Sequence, residues 1–188
     1  MTIVVKSLQM AKRYISACVS EGEQVVDATC GNGRDTLFLA ELVGEKGKVF
    51  SFDIQAEALS KTRRLLEANN LLSRVHLIQS GHEHIQDYVH GKIAAVMFNL
   101  GYLPGGDHKI VTRPDTTVAA LSKSLQLLRT GGIVTIVVYS GHKGGREEKD
   151  TLLNYCSRLN QDQFTVLHYT IINQINEPPS LLVLERLL

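Results

Sequence analysis

The residues best suited to chemistry in this 188-residue chain lie in one short segment rich in glycine and carboxylates. Gly31 and Gly33 allow the backbone to turn sharply and to approach a ligand closely, because neither carries a Cβ atom. Asp53 follows 20 residues after Gly33. There its carboxylate can accept hydrogen bonds from both hydroxyl groups of a ribose. This spacing is typical of a site for a cofactor that contains adenosine.

The acidic residues of this segment favour S-adenosylmethionine over a dinucleotide. Thr36 stands where a dinucleotide-binding fingerprint has its third glycine. Asp27, at the end of the first predicted strand, would repel a pyrophosphate but attract the ammonium and sulfonium groups of S-adenosylmethionine. The alternative is that Asp27 and Asp35 only cap the turn or the helix that follows it.

The predicted cofactor site takes in residues from the ends of four strands. We expect S-adenosylmethionine, with S-adenosylhomocysteine as its product, to be bound by Asp27, Ala28, Thr29, Gly31, Asn32, Gly33, Asp35, Thr36, Asp53, Ile54, Gln55, Gly81, His82, Glu83, Asn99 and Leu100. His82 is interpreted as an adenine-side contact or a helix cap. A metal role for His82 with His84 is disfavoured, because no third ligand is spaced nearby, and we predict no metal.

A second segment, at the end of the fourth predicted strand, carries groups that could align an amine. Many amino-group methyltransferases have here an Asp, Asn or Ser, two prolines and an aromatic residue. Asn99 and Tyr102 match this pattern, whereas Leu100 and Gly101 replace the prolines. The Asn99 side-chain oxygen can accept protons from an amine, and Tyr102 can stack on a base. The alternative is that Asn99 only ends a strand and the glycines form a tight loop.

A histidine flanked by glycines follows the fifth predicted strand, and the neutral imidazole of His142 could take a proton from an ammonium substrate. We predict Asn99, Tyr102 and His142 as catalytic residues. The predicted substrate-binding residues are Gly101, Tyr102, Leu103, Pro104, Gly105, Tyr139, Gly141, His142, Lys143 and Arg146. A group of basic residues at the same edge of the sheet is predicted to bind phosphates: Lys109, Arg113, Lys143 and Arg146, called here the basic rim. Each could instead be a solvated loop charge.

Composition and cysteine usage narrow the possible functions. A net charge of +1 lacks the strong basic excess that is usual in proteins that bind nucleic acid nonspecifically. No apolar run approaches the length needed to span a bilayer. Lys12 and Arg13 interrupt the apolar N-terminal stretch, which argues against a secretory signal, so we expect a cytoplasmic protein. Cys18, Cys30 and Cys156 have no paired spacing and are predicted to be reduced thiols. Carbon methylation of a pyrimidine usually requires a cysteine nucleophile on the loop after Asn99, and none is there.

The elements that must position these residues alternate along the chain. Strands are predicted over 24–28, 48–54, 75–79, 93–99, 133–139, 164–172 and 181–187, and helices over 7–20, 35–42, 56–69, 83–89, 115–128 and 147–159, with Ser7 as a helix N-cap. This order predicts a single α/β domain of the Rossmann-like, class I methyltransferase type. Its seven-stranded sheet is mostly parallel, has helices on both faces and closes with a C-terminal antiparallel hairpin.

Several strings of residues together resemble the YtqB/MnmM family of class I S-adenosylmethionine-dependent methyltransferases, long labelled as rRNA methylases. The strings are Asp27-Ala28-Thr29 with Gly31-Asn32-Gly33, Phe52-Asp53-Ile54-Gln55, the run from Phe98 to Asp107, Val138-Tyr139 with Gly141-His142, and Ile172-Asn173-Gln174 before Pro178-Pro179. The resemblance covers nearly the whole chain. The chain departs from the family pattern at Cys30, Arg34 and Ser140, the last being a position where some relatives carry a histidine.

The resemblance implies a specific reaction and partner. The expected reaction is N-methylation of the aminomethyl group of 5-aminomethyl-2-thiouridine at the wobble position of tRNA, which gives 5-methylaminomethyl-2-thiouridine. The family resemblance also implies a homodimer that engages the anticodon stem-loop. Two alternatives stay open: a methyltransferase that acts on rRNA or another acceptor, and a noncatalytic RNA-binding protein that retains the cofactor pocket.

Overall fold

The computed structural model describes residues 3–107, 109–141 and 144–188, and within these ranges one seven-stranded sheet is formed. In chain order its strands are β1 (Gln24–Asp27), β2 (Lys48–Asp53), β3 (Val75–Gln79), β4 (Ile93–Asn99), β5 (Leu128–Val138), β6 (Phe164–Tyr169) and β7 (Ser180–Arg186). The spatial order is β3-β2-β1-β4-β5-β7-β6. Strands β1 to β5 pair in parallel, and β7 is antiparallel to both β5 and β6. The predicted mostly parallel sheet with a closing antiparallel pair is confirmed.

Helices cover both faces of the sheet. They are α1 (Ser7–Cys18), α2 (Arg34–Leu42), α3 (Ala56–Ala68), α4 (Ile85–Tyr88), α5 (Pro114–Leu127) and α6 (Gly145–Cys156). Successive strand residues point to opposite faces, so Val25 and Val26 belong to different apolar clusters. The cluster around Val25 includes Ile15, Leu39 and Leu66 of α1, α2 and α3, and the cluster around Val26 includes Ile85, Leu121 and Leu152 of α4, α5 and α6.

The order of strands reverses between β1 and β4, which are neighbours in the sheet although two strands separate them in the chain. Connections from the two strands therefore leave in opposite directions and open a crevice at their carboxyl ends. Asp27 at the end of β1 pairs in register with Met97 of β4, and Asn99 ends β4 beside Val137 of β5. The fold thus places the two predicted reactive segments at one crevice.

Several sequence-based boundaries were wrong: the strand predicted over 164–172 ends at Tyr169, the helix predicted over 147–159 is Gly145–Cys156, and the helix predicted over 7–20 ends at Cys18. Three further differences have a structural reason. Ser7 is the first residue of α1 rather than its N-cap, and its hydroxyl donates to the carbonyl of Pro179. Only Ile85–Tyr88 of the predicted helix over 83–89 is α-helical, because His82–His84 forms a tighter 3-10 turn. Strand β5 begins at Leu128, which pairs with Ile93 before a shift of register. No helix of the described ranges is long and apolar enough to cross a membrane.

Candidate active site

A cavity of about 970 Å³ lies at the carboxyl ends of β1, β2 and β4. This volume is at the upper end of the range typical of small-molecule sites. Its wall is formed by the segments that follow the first five strands, and Leu8 and Lys12 of α1 reach it as well. Both predicted segments, the glycine-rich turn after β1 and the loop after Asn99, therefore border the same space.

Asp27 lies behind the turn rather than on the cavity wall. Its side chain is only 1% exposed. The carboxylate accepts hydrogen bonds from the backbone N–H of Thr29 at 3.1 Å and from the hydroxyl of Thr36 at 2.6 Å. Burial raises the pKa of Asp27 to about 7, and the nearby charge of Asp35 adds to this shift. These are the contacts of a turn-capping residue, so cofactor binding by Asp27 stays a prediction.

The glycine turn is shaped by close packing against Thr62 of α3. Gly31 has φ +53° and Gly33 has φ +79°, a region that residues with a Cβ atom rarely adopt. A Cβ atom at Gly33 would lie 2.6 Å from the Thr62 hydroxyl oxygen. That hydroxyl donates to the carbonyl of Gly31 at 3.2 Å and accepts a bond from the Cys30 thiol at 3.1 Å. The turn can therefore approach α3 only if position 33 is glycine.

Asp53 presents an oriented carboxylate to the cavity. Its Oδ2 accepts from the backbone N–H of Gly31 at 2.9 Å, and its Oδ1 accepts from that of Gln55 at 2.9 Å. Burial raises the pKa of Asp53, while the two backbone N–H groups oppose this shift. Each carboxylate oxygen has a further lone pair, so both can accept hydrogen bonds from a ligand in the cavity.

His82 is buried at the cavity and held in one orientation. Its Nδ1 lies 3.1 Å from the carbonyl oxygen of Ala28, and its ring packs edge-on against Phe98 with 5.6 Å between the centroids. Burial lowers the pKa of His82, which favours the neutral ring. A carbonyl can only accept, so Nδ1 carries the proton and the buried Nε2, which has no hydrogen-bond partner among the described residues, is an acceptor. In those residues no cluster of three metal-binding side chains occurs.

Asn99 is held at both its backbone and its side chain. Its backbone N–H donates to the Thr29 hydroxyl at 2.7 Å, and its Nδ2 donates to Asp35 Oδ2 at 3.2 Å. Asp35 is 7% exposed, and its Oδ1 lies 2.8 Å from the ammonium nitrogen of Lys12. Sequence reasoning missed Lys12, because nothing in the pattern of α1 indicates that this residue reaches the end of β4.

The loop after Asn99 is fastened to α5 and α6 by a buried carboxylate. Glu148 of α6, only 1% exposed, accepts from the hydroxyl groups of Thr112 at 2.8 Å and Thr117 at 2.7 Å. The Thr112 hydroxyl in turn accepts from the backbone N–H of Gly101 at 3.0 Å. Tyr102 forms an isolated antiparallel bridge with Val111. Sequence reasoning missed Glu148 too, which resembles any other charge of the first turn of a helix.

The structure brings together most of the predicted site residues. Those on the cavity wall are Ala28, Thr29, Gly31, Asn32, Asp35, Asp53, Ile54, Gln55, Gly81, His82, Glu83, Asn99, Leu100, Gly101, Tyr102, Leu103, Pro104, Tyr139 and Gly141. Five other predicted residues do not line the cavity: Asp27, Gly33, Thr36, Gly105 and Arg146. His142 and Lys143 lie outside the described residues.

The predicted basic rim is divided between two places. Arg113 lines the cavity, with its Nε 3.7 Å from Asp115. Arg146 instead forms an exposed ion pair with Glu177 at 2.6 Å and borders a smaller groove next to the cavity. Lys109 is exposed and does not reach the cavity wall. Arg34, which was not predicted as a binding residue, is exposed at the cavity mouth.

The cysteines and Tyr139 are poorly suited to act as nucleophile or base. All three cysteines are free, as predicted. Burial raises the pKa of Cys30 and of Cys156 to about 12, so neither thiol is a ready nucleophile at neutral pH. Burial, assisted by the charge of Asp35, also raises the pKa of Tyr139. Its hydroxyl therefore stays protonated at neutral pH and can donate a hydrogen bond into the cavity.

Comparison with known proteins places the chain among methyltransferases. The family model described as "Putative rRNA methylase" matches residues 49–185, and the model for protein-L-isoaspartate(D-aspartate) O-methyltransferase matches residues 3–87. The chain is 34% identical over 191 residues to an Arabidopsis thaliana protein named tRNA (mnm(5)s(2)U34)-methyltransferase, chloroplastic. That alignment covers 96% of this chain and 70% of the relative.

Two solved structures are similar over nearly their whole length. The first is described as a putative rRNA-methylase from Clostridium thermocellum and has a TM-score of 0.97 at 50% identity, covering 99% of this chain and 100% of that one. The second is a putative methyltransferase from Streptococcus mutans, solved in complex with S-adenosylhomocysteine (SAH). It has a TM-score of 0.91 at 41% identity and covers 98% of this chain and 100% of that one.

Proposed function

The chain belongs to the rRNA methylase family and is an S-adenosylmethionine-dependent methyltransferase, and from this premise we propose that it methylates the aminomethyl nitrogen of 5-aminomethyl-2-thiouridine at the wobble position of tRNA. The product is 5-methylaminomethyl-2-thiouridine. The observation that carries this proposal is the position of Asn99, which lies on the cavity wall and whose side-chain nitrogen donates a hydrogen bond to Asp35.

The residues on the cavity wall fit S-adenosylmethionine. Asp53 offers two oriented acceptors for the ribose hydroxyl groups. The Nε2 acceptor of His82 suits the amino group of an adenine, since this buried atom has no hydrogen-bond partner among the described residues. Asp27 lies behind the turn and, with its pKa raised to about 7, carries a partial negative charge at neutral pH, which favours a cofactor that carries an ammonium and a sulfonium. When bound, S-adenosylmethionine supplies an electrophilic methyl group on a sulfonium, which becomes a neutral sulfur as the methyl group leaves.

The protein's part in the reaction is to position a neutral amine. The Asn99 side-chain oxygen and the Leu100 carbonyl accept the amine hydrogens, so that the nitrogen lone pair is aimed at the methyl group. Such alignment can contribute roughly 7 to 11 kcal/mol to lowering the barrier. The ammonium form must first lose a proton, and His142 or solvent is the proposed acceptor. Tyr139 is unsuited to that role because its pKa is raised.

The choice of tRNA as substrate is supported by the relative from Arabidopsis thaliana, which is named for a reaction at U34 of tRNA. The cavity mouth carries Arg34 and Arg113, which can contact phosphates, and exposed Tyr102, which can stack on a base. The anticodon stem-loop is the proposed partner. We include in the proposal the homodimer that the family resemblance implies and the cytoplasmic location expected from the sequence; light scattering on the purified protein tests the homodimer.

A direct assay tests the proposed reaction. Purified protein is incubated with S-adenosylmethionine and with tRNA from cells that lack the modification, and the tRNA nucleosides are measured by mass spectrometry. We expect 5-aminomethyl-2-thiouridine to disappear as its methylated form accumulates. Methyl transfer to rRNA with none to tRNA would instead favour the acceptor in the family's description. Cofactor binding without transfer to any RNA fraction would favour a noncatalytic protein.

A further inference from the structure

The side chain of Asn99 has two chemically different ends, and Asp35 contacts only one of them. The amide nitrogen donates to Asp35 Oδ2 at 3.2 Å. The nitrogen and oxygen of a carboxamide diverge from the same carbon, so the oxygen cannot face Asp35 at the same time. Because Asn99 lines the cavity, the contact with Asp35 determines which of the two groups a bound acceptor meets.

Asp35 can hold Asn99 in only this orientation. A carboxylate has acceptors and no donor, whereas a carboxamide has an acceptor at one end and two donors at the other. Rotation of the Asn99 amide by half a turn would set two oxygens against each other and leave Asp35 without its donor. The contact is largely shielded from water because Asp35 is 7% exposed, which increases the cost of such a mismatch.

Lys12 keeps Asp35 in place from the opposite side. Its ammonium lies 2.8 Å from Asp35 Oδ1 and 4.8 Å from the centre of the Phe38 ring. The ammonium offsets the negative charge that Asp35 would otherwise place beside the acceptor. The contact is at ion-pair distance without being aligned as a hydrogen bond. Lys12 therefore contributes chiefly through charge.

We propose that Asp35 is a positioning residue that fixes the Asn99 side-chain oxygen toward the methyl acceptor, with Lys12 as the counter-ion that holds Asp35. The proposal rests on the proposed function in one respect, namely that the acceptor is an amine whose N–H groups need an oxygen. It follows that the site selects an acceptor atom that donates a hydrogen bond. It also follows that the pair of Asp35 and Asn99 can be exchanged without losing the arrangement.

An exchange of the two side chains tests this dependence. The variant Asn99→Asp sets two carboxylates together, and we expect its turnover on tRNA to fall at least tenfold, with a pH profile displaced from that of the parent protein. Adding Asp35→Asn restores one donor and one carboxylate to the pair, and we expect this double variant to regain about tenfold in turnover, which corresponds to a coupling of about 1.4 kcal/mol. A double variant no more active than Asn99→Asp overturns the proposal.

The matched control is Glu57→Gln, which changes a carboxylate to an amide in the exposed ion pair between Glu57 and Lys61 on α3. Its turnover should equal that of the parent protein. Lys12→Met leaves the hydrogen bond between Asp35 and Asn99 possible but removes the counter-ion. We expect this variant to lose turnover with little change in the affinity for S-adenosylmethionine. An unchanged turnover would contradict the role given to Lys12.

A measurement without methyl transfer separates this proposal from the proposed function. The side-chain amide signal of Asn99 can be observed by ¹⁵N NMR and assigned by its loss in Asn99→Asp. We expect a displaced signal with slowed hydrogen exchange in the parent protein, and a signal close to that of an exposed asparagine in Asp35→Ala. If no tRNA is methylated but the signal behaves as expected, the proposed function fails and the orientation stands. A signal that does not respond to Asp35→Ala overturns the orientation.

Discussion

Glu148 accepts a hydrogen bond from the hydroxyl of Thr112 at 2.8 Å, although 36 residues separate them in the chain. The Thr112 hydroxyl also accepts a hydrogen bond from the backbone N–H of Gly101, which lies two residues after Asn99. The side chain of Glu148 on α6 therefore determines where the loop after Asn99 can lie. The side chain of Glu148 also accepts a hydrogen bond from Thr117 of α5, so two helices and the loop depend on one buried side chain.

Replacement of Glu148 should loosen this loop. Glu148→Ala leaves the hydroxyls of Thr112 and Thr117 without their acceptor, and we expect a loss of about 2 to 3 kcal/mol in the free energy of unfolding together with reduced turnover. Glu148→Gln retains an acceptor and should lose less. Chemical denaturation and the tRNA assay measure both effects. The exposed neighbour Glu147 provides the control, since Glu147→Ala should change neither quantity, and equal losses in the two alanine variants would refute this role.

A methyl group at position 33 should damage the glycine turn through a steric clash. Gly33→Ala places a Cβ atom within 3 Å of three atoms of Thr62 and imposes a positive φ on alanine, whose strain alone costs about 1 kcal/mol. We expect a fall in melting temperature and weaker binding of S-adenosylmethionine by calorimetry. Adding Thr62→Gly should recover part of the loss.

The control for this clash is Gly22→Ala, far from the cavity. Gly22 also has a positive φ, +87°, but the nearest atom to an added Cβ lies 3.9 Å away. This variant carries the backbone strain without the clash. Similar losses in Gly22→Ala and Gly33→Ala, with no recovery on adding Thr62→Gly, would show that contact with Thr62 is unimportant.

His82 should contribute to cofactor affinity through its ring nitrogen. His82→Phe retains a ring against Phe98 but removes the Nε2 acceptor, and we expect S-adenosylmethionine to bind about tenfold more weakly, a loss of about 1.4 kcal/mol. Calorimetry measures the dissociation constant. His76 stacks on Phe50 at 5.2 Å on the exposed side of β3, and His76→Phe should leave the affinity unchanged. An affinity for His82→Phe equal to that of the parent protein would exclude a cofactor contact through Nε2.

Asp27 should make stability fall as pH rises. Burial raises its pKa in the folded protein to about 7, against an ordinary value of 3.8. The folded state thus holds a proton that the unfolded state has already released, so the contribution to stability is complete below about pH 4 and is lost between about pH 4 and pH 7. The loss has a ceiling of about 4 kcal/mol. Asp27→Asn carries no such proton and should show a flatter dependence.

Denaturation at a series of pH values tests the behaviour of Asp27. The difference in unfolding free energy between Asp27→Asn and the parent protein should shift in favour of the variant as pH rises through this window. Asp115 lies exposed in the first turn of α5, and Asp115→Asn should show no comparable shift. Parallel pH curves for Asp27→Asn and the parent protein would mean that burial does not alter the ionisation of Asp27.

Two further substitutions separate cofactor binding from turnover. Asp53→Ala removes the oriented acceptors at the end of β2, and we expect calorimetry to detect no binding of S-adenosylmethionine. Asn99→Ala removes the group that we propose aligns the acceptor, and we expect a lower kcat with cofactor affinity largely retained. A variant Asn99→Ala that turned over normally would contradict the alignment role of its side chain.

The order of strands and helices, and the position of the site at the ends of the strands, could be predicted because both depend on local patterns. Alternating strand and helix periodicity predicts parallel strands, whose carboxyl ends necessarily share one edge of the sheet. Asp53 and Asn99 are strand-terminal residues, so their arrival at the cavity follows from that rule. Tertiary contacts do not follow from it. The approach of Lys12 to Asp35 depends on the angle at which α1 packs, and that angle depends on side chains spread over the whole chain.

The burial of the Asp27 side chain also could not be predicted from the sequence. Its residue type and place at the end of β1 were evident, and they suggested a charge facing the cofactor. Whether the carboxylate faces the cavity depends on which groups lie within hydrogen-bond reach, and Thr36 and Thr29 bind it from within the turn. The carboxyl group of Asp27 thus lies behind the cavity wall.

The side-chain amide of Asn32 donates a hydrogen bond to the carbonyl of Pro104 at 3.2 Å, and this bond joins the glycine turn to the loop after Asn99. A ligand that tightens one of these segments reduces the freedom of the other before its own ligand arrives. Thermodynamic reciprocity then requires each ligand to alter the affinity for the other by the same factor. The cofactor and the methyl acceptor are therefore expected to bind cooperatively.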